Sequence, residues 1–129
     1  MNKYAGIIVI HKNSVLLAKR ISFYKGELMP YPGYWSVFVG AIEEGESESD
    51  AAERELFEET ELTIENPLVE VGSINDLVLF GTRYDEMVHP NLNFEHEECG
   101  WFDIDMLHSF PYKIDEKIIN LILKCKNKV

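Results

Sequence analysis

Short apolar runs of β-type composition recur along the chain and predict a sheet. Each run is bounded by Gly, Pro, Asn, Asp or Ser, the residues that favour turns. The predicted strands are Tyr4–His11, Val15–Arg20, Trp35–Val39, Leu68–Ser73, Leu77–Tyr84 and Trp101–Ile104. The polar residues between the first two strands predict a hairpin turn.

Two segments have helical spacing instead. Ser47–Thr60 begins with a good N-cap, and Asp50 follows Ser47 three positions later, close to a capping box. Ile114–Lys126 repeats its apolar residues at helical spacing and predicts an amphipathic helix packed on the sheet. Strands interleaved with two helices indicate the α/β class, with one helix on each face of a mixed sheet.

The segment from Ser22 to Tyr34 mixes Gly, Pro and aromatic residues without a period and predicts a long loop. Long loops in small domains are often functional. Its aromatic residues, Phe23, Tyr24, Tyr31 and Tyr34, suit either stacking on a nucleobase or anchoring the loop on the core, and the sequence leaves both open.

Composition narrows the class of protein. With 129 residues, 46% hydrophobic and 27% charged, the chain is expected to be one globular domain, residues 1–129. A net charge of −11 argues against binding to a nucleic-acid polymer. The N-terminal apolar run Ala5–Ile10 is too short to span a membrane. Cys99 and Cys125 have no metal-binding spacing, so reduced thiols and a cytoplasmic location are expected.

The first predicted helix carries a stripe of carboxylates. Glu55, Glu58 and Glu59 are at positions i, i+3 and i+4, so they share one helical face and repel one another. That cost makes sense if a cation binds there, and carboxylate oxygens suit Mg²⁺ or Mn²⁺. The competing interpretation is a solvated acidic face, which is common on helices.

A longer pattern around this stripe resembles the Nudix box of the Nudix hydrolase family. The matching residues are Gly40, Glu46, Arg54, Glu55, Leu56, Glu58, Glu59 and Leu62, at the spacing of the box. One position departs, because Glu61 replaces the final glycine. Glycine suits the left-handed end of a helix, so Glu61 is expected to cost about 1 kcal/mol there or to change how the helix ends.

The resemblance implies a Nudix-like α/β/α sandwich with a central mixed sheet between helices. It also implies metal-dependent hydrolysis of a phosphoanhydride in a nucleoside diphosphate linked to a group X. A nucleoside triphosphate or a nucleotide sugar is the expected substrate. The implied cofactor is Mg²⁺ or Mn²⁺, and a homodimer is expected from the family.

The resemblance also assigns residues by position. The metal ligands would be the carbonyl of Gly40 and the side chains of Glu55, Glu58, Glu59 and Glu95. The catalytic residues would be Glu55, Glu58 and Glu95, with Glu55 favoured as the general base, although in the family the base often lies outside the box. Outside the box Glu95 is the first choice, and Glu98 or Glu97 comes next. Glu46 and Arg54 would be structural and orient the glutamates.

Other assignments rest on weaker signals. Arg20 and Arg83 are candidates for binding phosphate, and Tyr34 is the loop aromatic assigned to the substrate. His96 is interpreted as a loop residue rather than a ligand, because hard Mg²⁺ sites prefer oxygen.

Two alternatives to the enzyme remain. One is a catalytically silent Nudix-like nucleotide-binding sensor, and the other is an acidic interaction domain. No EF-hand spacing supports calcium binding in the latter.

Overall fold

The computed structural model describes residues 1–129, which form a mixed sheet between two helical layers. The strands are β1 Tyr4–His11, β2 Ser14–Arg20, β3 Phe23–Tyr24, β4 Glu27–Leu28, β5 Trp35–Ser36, β6 Phe38–Ala41, β7 Val69–Ile74, β8 Leu77–Arg83 and β9 His96–Asp103. The helices are α1 Glu48–Thr60 and α2 Glu116–Lys126, and a 3₁₀ helix covers Ile104–Ser109.

Strand β1 is the centre of the seven-stranded sheet. It pairs with β8 in parallel along its length, from Tyr4 opposite Leu77 to Ile10 opposite Arg83. Its antiparallel partners are β6, at residues 4–7, and β2, only at residues 10–11. Since β1 and β2 pair over two residues only, they diverge, and beyond that point β5 pairs with β2 while β6 pairs with β1.

Each face of the sheet is covered by its own apolar core. Under α1, the core includes Ile7, Phe38 and Leu56, all without exposed surface. On the other face, α2 and the 3₁₀ helix pack through residues such as Ile104, Leu107 and Ile122. The alternation of side chains along each strand supplies both cores, which confirms the predicted α/β/α sandwich.

Four local features differ from the sequence prediction. The predicted strand 35–39 is two short strands, β5 and β6, that pair with different partners. The predicted loop 22–34 contains the β3–β4 hairpin, turned by Lys25 and Gly26 at positive φ. The 3₁₀ helix was not predicted. Strand β9 starts at His96, five residues before the predicted start at Trp101.

The two cysteines are free thiols, with Cys125 buried and Cys99 half-buried. Neither helix combines the length and the apolar composition that crossing a bilayer requires.

Candidate active site

Helix α1 is fixed at both ends. At its start, the Oγ atom of Ser47 accepts a hydrogen bond of 3.1 Å from the backbone N–H of Asp50, as the capping pattern predicts. At its end, Glu61 adopts the left-handed conformation, with φ 63° and ψ 14°, and its N–H donates to the carbonyl of Phe57. The helix therefore ends with the geometry that favours glycine, and Glu61 carries the strain.

Arg54 joins the acidic turn before α1 to two of the helix glutamates. Its Nε and Nη2 atoms donate to the two oxygens of Glu46 at 2.7 and 3.0 Å. Its Nη1 atom donates to Glu55 at 3.0 Å and to Glu58 at 3.1 Å. Hydrogen bonds from Arg54 lower the pKa of Glu46 to about 2, so Glu46 is ionised at neutral pH. Arg54 thus restricts the orientation of all three carboxylates.

The Glu55 carboxylate packs against the backbone of Gly40. Glu55 is 8% exposed, and a Cβ atom added at Gly40 would collide with its carboxylate. Burial raises the pKa of Glu55, and the Arg54 guanidinium opposes that rise. The absence of a side chain at Gly40 is what lets this carboxylate reach the strand.

Glu59 is the most deeply buried carboxylate of the helix. Its side chain has no exposed surface, and neither oxygen has a hydrogen-bond partner. Ligand atoms of Glu59, Glu95 and His96 all lie within 4.8 Å of one another. The His96 Nδ1 atom is 3.7 Å from Glu59 Oε1, beyond hydrogen-bond length.

Burial and neighbouring charges set the protonation of Glu59 and His96. Burial, and then the charges of Glu95 and Glu55, raise the pKa of Glu59 to about 10. Burial, and then the Arg20 charge, lower the pKa of His96 to about 4. Both side chains are therefore uncharged near neutral pH when no cation is bound, and they do not form a salt bridge.

The segment before β9 is hydrogen-bonded to the end of α1 and to Ile21, the residue after β2. The N–H groups of Asn91 and Asn93 donate to the carbonyls of Thr60 and Glu59, which are among the free carbonyls at the end of α1. The carbonyl of Glu95 accepts from Ile21 at 3.0 Å. These contacts carry Glu95 and His96 to the C-terminal turn of α1.

The three helix glutamates have different surroundings in the structure. Glu59 lies with Glu95 and His96, Glu55 lies against Gly40, and the Glu58 side chain is 52% exposed. Arg54 donates hydrogen bonds to Glu55 and Glu58, whereas neither oxygen of Glu59 has a hydrogen-bond partner.

The interpretation of His96 as a loop residue is wrong, because His96 is the first residue of β9 and is 4% exposed. The register of β9 against β2 shifts between Lys19 and Arg20, so that Glu97 is an extra, bulged residue. Trp101 and Cys99 pack on the α1 face, and the bulge brings His96 to that face in place of Glu97. A strict two-residue alternation read from the sequence would have selected Glu97.

A cavity of about 610 Å³ opens beside this group, between the diverging strands. Of the predicted residues, Arg20, Tyr34, Gly40 and Glu95 line it. Its walls also include apolar residues of β5, β6 and α2, among them Trp35, Val39 and Ile118, and Val37 between β5 and β6.

Arg83 lies elsewhere. It is at the far end of β8, where its guanidinium donates to the carbonyls of Lys12 and Val129. The structure therefore does not bring Arg83 to the cavity.

Several loop aromatics lie at the mouth of the cavity. Tyr31 and Tyr34 pack edge to face with ring centroids 5.9 Å apart, and both line the cavity. Tyr24 stacks on Phe94 at 4.5 Å, and both rings are exposed. Phe23, Tyr24 and Tyr31 are exposed and Tyr34 is half-buried, so none of the four enters the core, and the anchoring interpretation does not describe them.

Comparison with known proteins identifies relatives of this arrangement. A family model described as the NUDIX domain matches residues 2–122. The structure resembles an Ap4A hydrolase from C. elegans, with a TM-score of 0.71, 20% identity and coverage of 95% of this chain and 94% of that chain. It also resembles a MutT NUDIX hydrolase from Burkholderia pseudomallei, with a TM-score of 0.73, 19% identity and coverage of 96% and 98%.

Two further matches are a NUDIX domain solved with a bound ligand and a segment of a much longer protein. The NUDIX domain of NrtR from Shewanella oneidensis, solved with ADP ribose, has a TM-score of 0.74 and 16% identity, covering 99% of this chain and 88% of that chain. An octanoyltransferase from Myxococcus xanthus is 33% identical over 95 residues, which is 63% of this chain and 26% of that protein. The chain therefore spans about a quarter of the length of this curated relative.

Proposed function

Because the chain belongs to the NUDIX domain family, we propose that it is a pyrophosphohydrolase that hydrolyses a phosphoanhydride bond in a nucleoside diphosphate linked to a group X. A nucleoside triphosphate or a nucleotide sugar is the substrate that we favour. The observation that carries this proposal is the buried Glu59 carboxylate, which has no hydrogen-bond partner and faces Glu95 beside the cavity. A buried carboxylate without a partner is costly and indicates a site that binds a cation.

The donor set fits a divalent cation. Glu55, Glu58, Glu59 and Glu95 and the carbonyl of Gly40 offer oxygen atoms, which Mg²⁺ and Mn²⁺ prefer. The two unpaired oxygens of Glu59 are the direct sign of this fit. We propose Mg²⁺ or Mn²⁺ as the cofactor. The chemistry that such an ion supplies is neutralisation of diphosphate charge and activation of water.

Arg20 is placed to bind the substrate phosphates. It lines the cavity, its Nε atom donates to the Pro30 carbonyl, and its Nη groups have no hydrogen bond within the protein. A guanidinium with free N–H groups in a fixed orientation is suited to phosphate oxygens. Arg20 would hold the diphosphate next to Glu95.

Glu95 is the general base that the geometry favours. Glu95 lines the cavity, whereas the Glu55 carboxylate accepts a hydrogen bond from Arg54 and is not among the lining residues. In the proposed reaction, an oxygen of the Glu95 carboxylate accepts a proton from the attacking water. The water oxygen bonds to phosphorus while the bridging oxygen departs with the leaving phosphate. The products are a nucleotide and phosphorylated X, or pyrophosphate when the substrate is a triphosphate.

The remaining cavity wall would select the group that the phosphates carry. Tyr34 and Tyr31 offer aromatic faces for a nucleobase, and the apolar wall around Val37 and Ile118 excludes water from it. The proposed partner is therefore a small nucleotide.

The alternative of a catalytically silent nucleotide sensor was supported by one feature, the replacement of the final box glycine by Glu61. Since Glu61 adopts the conformation expected of the box glycine, that replacement does not favour loss of activity. All the box glutamates remain.

The test is a panel of nucleoside triphosphates and nucleotide sugars with Mg²⁺ or Mn²⁺, with the products identified by mass. Glu59→Gln is expected to lower kcat by about 100-fold or more. Glu53→Gln is the matched control, because Glu53 is an exposed glutamate of the same helix. Unchanged kcat in Glu59→Gln would overturn the metal assignment, and absence of any product with the whole panel would overturn the function.

Two expectations from the sequence stay predictions. The free thiols of Cys99 and Cys125 support a cytoplasmic location, since such compartments keep thiols reduced. A homodimer, expected from the family resemblance, is tested by sedimentation.

A further inference from the structure

His96 is a buried polar residue that the proposed reaction does not use. Its side chain has no exposed surface, and neither ring nitrogen has a hydrogen-bond partner. A buried imidazole usually has at least one partner, because an unpaired buried polar group costs free energy. His96 therefore requires an explanation beyond packing.

The surroundings of His96 supply one. Its Nδ1 atom is 3.7 Å from Oε1 of Glu59, whose own oxygens are also unpaired. Two donors that each lie about 2.1 Å from one ion are separated by at most about 4.2 Å. The spacing of 3.7 Å is too long for a hydrogen bond and suits two ligands of one cation. Glu95 offers a third ligand atom, and since the three atoms lie within 4.8 Å of one another, a small movement of a side chain would bring all three to one ion.

A bulge and an aromatic contact hold His96 in this position. The bulge at Glu97 brings His96, rather than a glutamate, to the α1 face of β9. The His96 ring packs edge to face on Phe38, with centroids 5.4 Å apart. Bulges commonly re-aim a side chain next to a functional site.

We propose that His96 is a nitrogen ligand in a Glu59–Glu95–His96 cation site, and that this site prefers a transition ion such as Mn²⁺ or Co²⁺ to Mg²⁺. Imidazole suits borderline transition ions, whereas Mg²⁺ selects oxygen ligands. The inference deepens the proposed function, on which it rests for the role of the ion. In that case the metal preference of the site would depend on His96, a residue of β9 that lies outside the Nudix box.

The direct test is pulsed electron paramagnetic resonance of the full chain loaded with Mn²⁺. Coordination by His96 is expected to give modulation from a ¹⁴N nucleus in the wild-type spectrum, and that signal should disappear in His96→Gln. His89→Gln is the matched control, because His89 is an exposed loop histidine. Absence of ¹⁴N modulation in the wild-type protein would overturn the proposal without requiring any variant to fold.

Binding calorimetry tests the selectivity. Wild-type protein is expected to bind Co²⁺ at least about 10-fold more tightly than Mg²⁺. His96→Gln should lose about 10-fold or more in Co²⁺ affinity and change Mg²⁺ affinity by less than about threefold. Equal losses for both ions would show a structural role for His96 and contradict the selectivity.

The two proposals fail in different ways. If the protein turns over nucleotides but shows no ¹⁴N coupling, the ligand assignment is wrong and the function stands. If ¹⁴N coupling appears but no nucleotide of the panel is hydrolysed, the cation site stands and the function is wrong.

Discussion

Gly40 controls where the Glu55 carboxylate can lie, because any side chain at this position would occupy the same space. We expect Gly40→Ala to displace Glu55 and to lower kcat by about 100-fold, since small misplacements of site groups have effects of this size. Ala41→Ser changes the exposed neighbouring residue and should leave kcat within about twofold. Circular dichroism of Gly40→Ala would show whether the fold is retained, and a folded variant with normal kcat would contradict the role of Gly40.

Arg20 differs from most charged residues of the chain in facing the cavity with free guanidinium N–H groups. Arg20→Gln removes the charge, and we expect kcat/KM to fall by roughly 30- to 150-fold, as for loss of a charge-assisted hydrogen bond worth about 2–3 kcal/mol. Steady-state kinetics on the identified substrate measures this. Lys117→Gln, on the exposed side of α2, should have no such effect, and an equal loss in both variants would indicate a general charge effect.

The C-terminal end of α1 is strained at one position. Glu61 holds a left-handed conformation at φ 63°, which costs a residue with a side chain roughly 1–2 kcal/mol. Glu61→Gly should remove this strain, partly offset by the greater freedom of glycine in the unfolded chain, and raise the free energy of unfolding by roughly 0.5–1 kcal/mol. Urea denaturation measures the change. Glu65→Gly, at an exposed loop residue without positive φ, should not stabilise the protein.

Elements specified by local patterns were predictable from the sequence. Helix α1 could be predicted with its cap at Ser47, since capping and apolar spacing are properties of neighbouring residues. The start of β9 could not, because it follows from pairing with β2, about 80 residues earlier in the chain. The split between β5 and β6 likewise depends on the divergence of β1 and β2.

The same division applies to the candidate site. The family pattern identifies the helix glutamates, and helical geometry places Glu55, Glu58 and Glu59 close together. Which of them is buried depends on Arg54 and on tertiary packing, and the position of His96 depends on a bulge that no residue type marks. Arg83 shows the same limit for a residue that was wrongly expected at the site. The sequence places it near a strand end, but which part of the molecule its side chain faces depends on the order of the strands in the sheet.

The whole molecule should show a characteristic dependence of stability on pH when no metal is bound. The pKa of Glu59 rises from 4.5 to about 10, so the folded protein keeps a proton that the unfolded chain loses, and stability falls as pH increases between these values. The pKa of His96 falls from 6.5 to about 4, which gives the opposite slope below pH 6.5. We expect the free energy of unfolding to decrease above about pH 6.5 by up to about 1.4 kcal/mol per pH unit.

At low pH, the stability of the fold depends on another carboxylate, that of Glu46. The pKa of Glu46 falls from 4.5 to about 2, so its contribution is present above pH 4.5 and is lost as pH falls toward 2. Stability should therefore be greatest between about pH 4.5 and 6.5. Urea denaturation in a chelating buffer across pH 3 to 9 measures this profile. Glu59→Gln should abolish the alkaline decrease, and an unchanged decrease in that variant would contradict its origin in Glu59.

Strand β9 hydrogen-bonds only to β2 and forms one border of the seven-stranded sheet. Peripheral strands open more often than central ones, and such excursions expose amides to exchange with deuterium. When β9 opens, Glu95 and His96 move away from Glu59 on α1, and the three side chains no longer lie together. An ion bound by Glu59, Glu95 and His96 would link the start of β9 to α1 and oppose this opening. Loading with metal should therefore slow amide exchange in β9 far more than in β7, the strand at the opposite border of the sheet.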